Sequence, residues 1–173
     1  MREVFELETR QKIYNLIKKN PGLHLSKIAE ILHLRISLVE YHVRYLEKNK
    51  IILASKEIGY KRYYGEGDKI GVDDKKLLAL LRRETPLRIV LFLLDCPGAI
   101  HEEISERLKI AKSTLTYHLQ MLVDLEIVQV ERMGKEKAYT IRNEQKIVQV
   151  LIQFQPYKVL ESFTDIWTGL QVD

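Results

Sequence analysis

The chain has 173 residues, of which 46% are hydrophobic and 30% are charged, so it can fill a core and keep a polar surface. Its longest strongly apolar runs, 77–81 and 89–94, are far shorter than the roughly 18–20 residues of a membrane span. The first residues are charged and lack the apolar stretch of a signal peptide, so we expect a cytoplasmic protein with no membrane partner. The single cysteine, Cys96, excludes an internal disulfide and a cysteine-cluster metal site.

The charge is unevenly distributed along the chain, although the net charge is only +4. Residues 1–76 contain 16 Lys and Arg against 11 Asp and Glu, whereas residues 77–173 contain 12 against 13. A basic first half permits nucleic-acid binding. It does not establish such binding, because most charged faces of proteins are only solvated.

An internal repeat organises the sequence. The segments 8–52 and 84–128 align without a gap when one is shifted by 76 residues. The identical pairs include Glu8/Glu84, Thr9/Thr85, Pro21/Pro97, Gly22/Gly98, Ser37/Ser113, Tyr41/Tyr117, His42/His118, Leu46/Leu122, Lys61/Lys137 and Tyr63/Tyr139. The chain therefore holds two copies of a unit of roughly 60 residues, a size that buries a small core by itself.

Both copies show the same order of predicted elements. Thr9 and Thr85 are candidate N-caps of a first helix, which an Asn/Cys-Pro-Gly turn ends. A short second helix and a tight turn lead to a third helix at about 36–49 and 112–125, and two strands around a glycine follow. This order predicts a mainly α fold with small β-hairpins (α+β), built from two tandem winged helix-turn-helix domains and a C-terminal helical segment.

The third helix and the turn before the second carry a family resemblance. The Asn/Cys-Pro-Gly turn and the pattern S-x-x-x-Y-H-x-x-x-L resemble the winged-helix units of ArsR/MarR-type regulators. The tandem arrangement resembles archaeal transcription regulators with two such units. The resemblance covers residues 8–142 and implies sequence-specific binding of double-stranded DNA and transcriptional control. It names neither the regulated genes nor an effector.

The third helices also favour DNA binding on their residue pattern. Val39, Val43 and Leu46 form a buried stripe, and the opposite side is polar in both copies. Such side chains suit base edges and phosphates of a major groove, although an exposed polar helix face is often only solvated. The candidate contacts are Arg35, Ser37, Tyr41, Arg44 and Lys48 in copy one, and Lys112, Ser113, Thr114, Thr116, Tyr117 and Gln120 in copy two.

The two hairpins, or wings, supply further candidate contacts. Cations at a hairpin tip neutralise phosphates, although they also serve solubility. The cations are Lys56, Lys61 and Arg62 in the first wing, and Arg132, Lys135 and Lys137 in the second. Glu131 and Glu136 partly cancel the charge of the second wing. We therefore expect copy one to contribute more of the salt-dependent affinity.

The remaining reactive side chains do not form a catalytic or metal-binding pattern. His42 and His118 lie at the edge of the buried stripe, where a histidine is more often packed than a ligand. The sequence has no phosphate-binding glycine loop and no set of nucleophile, base and acid. We expect no enzyme activity, no metal and no cofactor.

The segments outside the repeat divide the chain further. We predict domain 1 at 1–66, a connector and linking helix at 67–84, domain 2 at 85–142 and a helical dimerisation segment at 143–173. The last segment packs over the two units or forms a two-fold homodimer interface, and we favour the homodimer. Its candidate interface residues are Ile147, Leu151, Phe154, Phe163, Ile166, Trp167 and Leu170.

Three classes of function remain open. A DNA-binding transcription regulator fits best. A protein-interaction module of a transcription or assembly complex fits Leu38 and Glu40 at the head of the third helix better. The third class is a chromatin-type protein that coats DNA without sequence preference.

Overall fold

The computed structural model describes residues 2–155, with side chains from Leu7 onward. The chain divides into two compact units, Met1–Ala79 (unit 1) and Leu80–Asp173 (unit 2). The elements of unit 1 are α1 (Arg2–Lys19), β1 (Leu23–His24), α2 (Leu25–Leu32), α3 (Ile36–Lys48), β2 (Ile52–Glu57) and β3 (Tyr60–Gly65). Helix α4 (Val72–Leu81) begins in unit 1 and crosses the boundary. Unit 2 continues with α5 (Glu84–Asp95), β4 (Ala99–Ile100), α6 (His101–Leu108), α7 (Lys112–Asp124), β5 (Val128–Met133), β6 (Glu136–Ile141) and α8 (Glu144–Phe154).

Each unit contains a three-stranded antiparallel sheet, in the order β1-β3-β2 or β4-β6-β5. The two sheets have the same register. Tyr63 pairs with Leu23 and Ala54, and Tyr139 pairs with the corresponding residues of unit 2, Ala99 and Val130. The wings predicted from the sequence are therefore confirmed as hairpin 1 (β2–β3) and hairpin 2 (β5–β6). The two-residue strands β1 and β4 are too short to produce a pattern in the sequence.

The predicted helix starts at Thr9 and Thr85 are wrong. Helix α1 already begins at Arg2, because the segment before Thr9 contains neither proline nor glycine and has three Glu, which favour helix. Helix α5 begins at Glu84, with Arg83 in the N-cap position. Neither threonine caps its helix, since both lie within it.

The predicted stripes of the third helices form the core of each unit. In α3, Val39, Val43 and Leu46 are buried, and in α7 the same holds for Leu115, Leu119 and Leu122. Helices α1 and α5 contribute buried side chains at matching positions, Ile13 and Ile17 in one and Ile89 and Leu93 in the other. Full burial of one such side chain stabilises a fold by about 1.5–3 kcal/mol. The stripes thus fix which side of α3 and α7 faces outward.

The turns of the two units share left-handed backbone positions. Gly22 and Gly98 have φ angles of 83° and 85°, which favour glycine. His33 and Lys109 follow α2 and α6 with φ 52° each, and Lys50 and Glu126 follow α3 and α7 with φ 57° and 56°. Each residue of a pair lies 76 positions from its partner. The repeat is therefore present in the backbone even where the side chains differ.

Candidate nucleic-acid interface

Helix α7 presents a polar face opposite its buried stripe. Lys112, Ser113 and Thr114 are exposed in its first turn, and Thr116, Tyr117 and Gln120 are exposed further along it. The side chain of Thr116 donates to the carbonyl of Lys112 over 2.8 Å, so its oxygen accepts from Nε2 of His101, 3.0 Å away. The amide of Gln120 donates to Asp124 over 2.7 Å. All the predicted contacts on this helix are accessible.

Hairpin 2 lies next in the chain, and its tip is exposed. After buried Val128, every residue of β5 is exposed, including Arg132. Lys135 in the turn and Lys137 on β6 are exposed as well. Met133, 63% exposed, stands at the tip beside these cations. The three predicted cations of hairpin 2 are therefore accessible to a polyanion.

Helix α3 has a different outer face. The predicted contacts Arg35, Ser37, Tyr41, Arg44 and Lys48 are exposed. Large apolar side chains accompany them: Ile36, Leu38, Tyr41 and Tyr45 are 38–53% exposed. The guanidinium of Arg10 on α1 lies 3.7 Å from the centre of the Tyr45 ring. Both Ile36 and Tyr45 were missed in the sequence, because on the helical wheel Ile36 falls at the edge of the buried stripe and Tyr45 falls beside the polar face.

In hairpin 1, the structure contradicts the prediction that Arg62 contacts phosphates. Lys56 and Lys61 are exposed, but Arg62 is only 2% exposed. Strand alternation places Arg62 on the face opposite Lys61. Its guanidinium donates to the carbonyls of Gly22, over 2.8 Å, and Ala79, over 3.2 Å. Arg62 therefore holds the strand to the Pro-Gly turn and to α4, and its charge does not reach the tip of the hairpin.

Several of the predicted contact cations in the two units form ion pairs. Lys61 of hairpin 1 lies 2.8 Å from Glu47 of α3, and Lys112 of α7 lies 2.6 Å from Glu102 of α6. The hydrogen bond in each pair raises the pKa of the lysine. Arg44 pairs with Glu40 on the same helix. These cations are charged and already bonded to carboxylates.

The histidines on and near the third helices differ in how deeply they are buried. His42 is fully buried, which confirms the prediction of a packed residue. Burial, together with the nearby Arg83, lowers the pKa of His118. His24 forms the N-cap of α2, where Nδ1 accepts from the backbone N–H of Lys27 over 3.3 Å. Among the described residues, no three His, Cys, Asp or Glu side chains are grouped as metal ligands would be.

Helix α8 corrects the prediction of the dimer interface. Ile147 and Leu151 are buried in the single chain, so they are not free to meet a second copy. Phe154 is partly buried, whereas Val148 and Ile152 are 41% and 67% exposed. The remaining candidates, Phe163, Ile166, Trp167 and Leu170, lie outside the described residues. Helix α8 thus buries the face that was predicted to form the dimer interface and exposes a different one.

The part of the chain from 2 to 155 contains no helix with the length and hydrophobicity needed to cross a lipid bilayer.

Comparison with known families matches both units. Residues 7–75 match a model described as an N-terminal HTH domain, and residues 83–130 match the arsR family of bacterial regulatory proteins. The fold and the matches together define a protein with two winged helix-turn-helix domains in tandem. The second of them matches the arsR-family model, in agreement with the resemblance seen in the sequence.

One curated relative comes from an archaeon. It is an uncharacterized HTH-type transcriptional regulator of Methanocaldococcus jannaschii, 34% identical over 134 residues. The aligned region is 78% of this chain and 33% of the relative, so the chain spans about a third of the relative's length.

Three solved structures align with parts of this chain. HlyU from Vibrio cholerae aligns with a TM-score of 0.45 at 24% identity, covering 53% of this chain and 98% of HlyU. The AntR antimony-specific transcriptional repressor aligns with a TM-score of 0.44 at 19% identity, covering 56% of this chain and 90% of AntR. The endosomal complex ESCRT-II aligns with a TM-score of 0.34 at 13% identity, covering 81% of this chain and 65% of the chain compared.

Proposed function

We propose that the protein is a DNA-binding transcriptional regulator that places α3 and α7 in the major groove and its hairpins on phosphates. The observation that carries this proposal is the exposed polar face of α7, which leads along the chain to hairpin 2 and its exposed cations. A helix of this diameter fits the major groove, and cations beside it neutralise the flanking phosphates. The arsR-family match of residues 83–130 supports the same function.

The two units contribute differently in this proposal. The outer face of α7 is mostly uncharged, so it adds little non-specific attraction and is suited to discriminate bases. The Gln120 amide is able to pair with an adenine, and Ser113 and Thr114 are able to reach base edges or phosphates. Unit 1 supplies exposed Lys48 and Lys56 at its corresponding surface and acts as the electrostatic anchor.

Binding to labelled duplex DNA tests the proposal. Fluorescence anisotropy is measured with mixed-sequence DNA at two salt concentrations, with and without unlabelled competitor, and bound genomic fragments are then selected. We expect salt-dependent binding and a selected sequence that survives competition. Equal binding to every sequence would indicate a chromatin-type coating protein. No binding at low salt would refute DNA binding altogether.

A protein-interaction module is the second candidate, and one observation favours it. Ile36, Leu38, Tyr41 and Tyr45 form an exposed apolar group on α3 that unit 2 lacks, since it has Lys112, Thr114, Tyr117 and Met121 at the corresponding positions. Apolar side chains at the head of a third helix suit a protein partner as well as thymine methyl groups. The DNA-binding measurement distinguishes the two functions.

We also propose that the regulator acts as a homodimer, because two-fold symmetry doubles the number of contacted half-sites. The exposed pair Val148 and Ile152 on α8 offers an apolar surface to the second copy. Light scattering of the full chain and of Ile152→Asp tests this. We expect a dimer that the substitution weakens, with a parallel loss of DNA affinity. A full-length monomer refutes the proposal.

A further inference from the structure

Two lysines on the proposed DNA surface are bound by carboxylates from other elements of their own unit. Lys61 of hairpin 1 is paired with Glu47 of α3, 14 residues away, and Lys112 of α7 is paired with Glu102 of α6, 10 residues away. Neither pair has the i, i+3 or i, i+4 spacing that brings neighbours together on one helix. Each pair instead depends on the fold, which brings the carboxylate of one element to the lysine of another.

The repeat offers an internal comparison for the first pair. Lys137 of hairpin 2 corresponds to Lys61, and Val123 of α7 corresponds to Glu47. Lys137 is exposed and forms no ion pair within the described part of the chain. The lysine is thus common to both hairpins, whereas the carboxylate is present only in unit 1. A lysine on the hairpin does not need the glutamate in order to be accommodated there.

Both pairs are weak enough to be exchanged. The side chains of Lys61 and Glu47 are 54% and 34% exposed, and those of Lys112 and Glu102 are 64% and 57% exposed. Exposed ion pairs change an equilibrium by a factor of only about 1.4 to 5. A lysine ammonium acts as a point charge without a fixed geometry, so it is able to donate to a phosphate oxygen in place of a carboxylate oxygen.

We propose that Glu47 and Glu102 occupy the phosphate-binding positions of Lys61 and Lys112 in the free protein and limit its affinity for DNA. This inference rests on the proposed DNA-binding function. When DNA binds, each lysine exchanges its carboxylate for a phosphate. The released carboxylate then lies within about 10 Å of the DNA backbone, where like charges repel at moderate salt. The affinity for DNA is therefore lowered by two costs, the loss of the ion pair and this repulsion.

The test measures the DNA affinity of Glu47→Gln, Glu102→Gln and the double variant by anisotropy on mixed-sequence duplex. We expect a gain of about threefold for each single variant and about tenfold for the double variant. The gain should shrink between about 50 and 200 mM salt, because screening weakens the pairs and the repulsion. The ratio of specific to non-specific affinity should not change, since phosphates carry no sequence information.

Two controls separate this exchange from a simple change of net charge. Glu8→Gln alters the charge equally but breaks a pair with Lys12 on α1, outside the proposed DNA surface. It should leave the affinity within a factor of about 1.5 of the wild type. Val123→Glu introduces the missing carboxylate in unit 2 and should lower affinity about threefold relative to Val123→Gln.

The inference and the proposed function fail in different ways. A wild-type protein that does not bind DNA overturns both. A wild-type protein that binds, with Glu47→Gln and Glu102→Gln at or below its affinity, overturns the inference alone. A gain from Glu8→Gln as large as that from the other two variants also overturns it, because the effect would then be one of net charge. Unchanged thermal unfolding of each variant ensures that the comparison is between folded proteins.

Discussion

Arg62 offers the sharpest test of how unit 1 is held together. Its guanidinium donates to two backbone carbonyls, those of Gly22 on the turn and Ala79 on α4. The corresponding residue of unit 2 is Ala138, which is also buried and lacks any charge. Arg62→Ala therefore gives unit 1 the residue that unit 2 has at this position, but on a backbone arranged around an arginine.

The expected loss of stability in Arg62→Ala follows from these contacts. Hydrogen bonds from a charged donor contribute about 1.5–3 kcal/mol each, so two of them contribute about 3–6 kcal/mol. Part of this loss is offset, because the buried guanidinium no longer has to be desolvated, which costs several kcal/mol. The truncation also leaves two carbonyls without a donor and a cavity in the core. We expect a net loss of about 3 kcal/mol, which lowers the melting temperature of a unit this size by about 12–24 °C.

Calorimetry of the full chain, with hydrogen exchange to locate the change, measures this loss. The transition of unit 1 should move and that of unit 2 should not. Arg62→Lys keeps the charge but loses the fork that reaches both carbonyls, so its effect should be intermediate. Lys61→Ala, on the exposed face of the same strand, should cost less than about 1 kcal/mol. A shift below about 4 °C for Arg62→Ala would refute the role assigned to this residue.

Three further predictions concern pH, base preference and salt. Burial, together with Arg62, lowers the pKa of His24 below 6.5, so the folded state favours the neutral ring that caps α2. The stability that the neutral ring contributes is complete above pH 6.5 and is lost as the pH falls through the lowered pKa. Urea unfolding from pH 8 to 5 should therefore show a fall in the free energy of unfolding that His24→Asn removes. Gln120→Ala should relax preference at one base pair by about 1–3 kcal/mol, measured on a panel of single-base variants of the selected site. An equal fall in non-specific binding would contradict the role of Gln120 as a base reader. Replacing both Lys56 and Lys61 by Ala should flatten the slope of log K against log salt by about one unit per lost phosphate contact, and an unchanged slope would place the electrostatic anchor elsewhere.

The architecture could be predicted because its signals are periodic. The i, i+4, i+7 stripes on α3 and α7 and the Pro-Gly turns occur twice, so each copy supports the interpretation of the other. The predicted third helices, 36–49 and 112–125, match Ile36–Lys48 and Lys112–Asp124 within a residue. The strands β1 and β4 were not predictable, since two residues cannot show alternation.

The predicted site was less complete, because a sequence shows which faces are apolar but not what covers them. Ile147 and Leu151 were correctly placed on one face of a helix, but that face is covered by the chain itself. Arg62 was taken as exposed because it follows Lys61 in a basic segment. One signal could have corrected this: the repeat aligns Arg62 with Ala138, a small apolar residue. Alternation along the strand then places the pair inward.

The left-handed turns that close the helices have a consequence for how the halves of this chain diverged. His33 and Lys109 share one backbone conformation, as do Lys50 and Glu126, although no side chain is common to either pair. A non-glycine residue in this conformation is under modest strain, so it persists only where the surrounding fold requires it. Descent from a duplicated ancestor accounts for this pattern, in which the scaffold was retained and the exterior was free to change. The tandem arrangement thus offers evolution two independent surfaces on a single inherited framework.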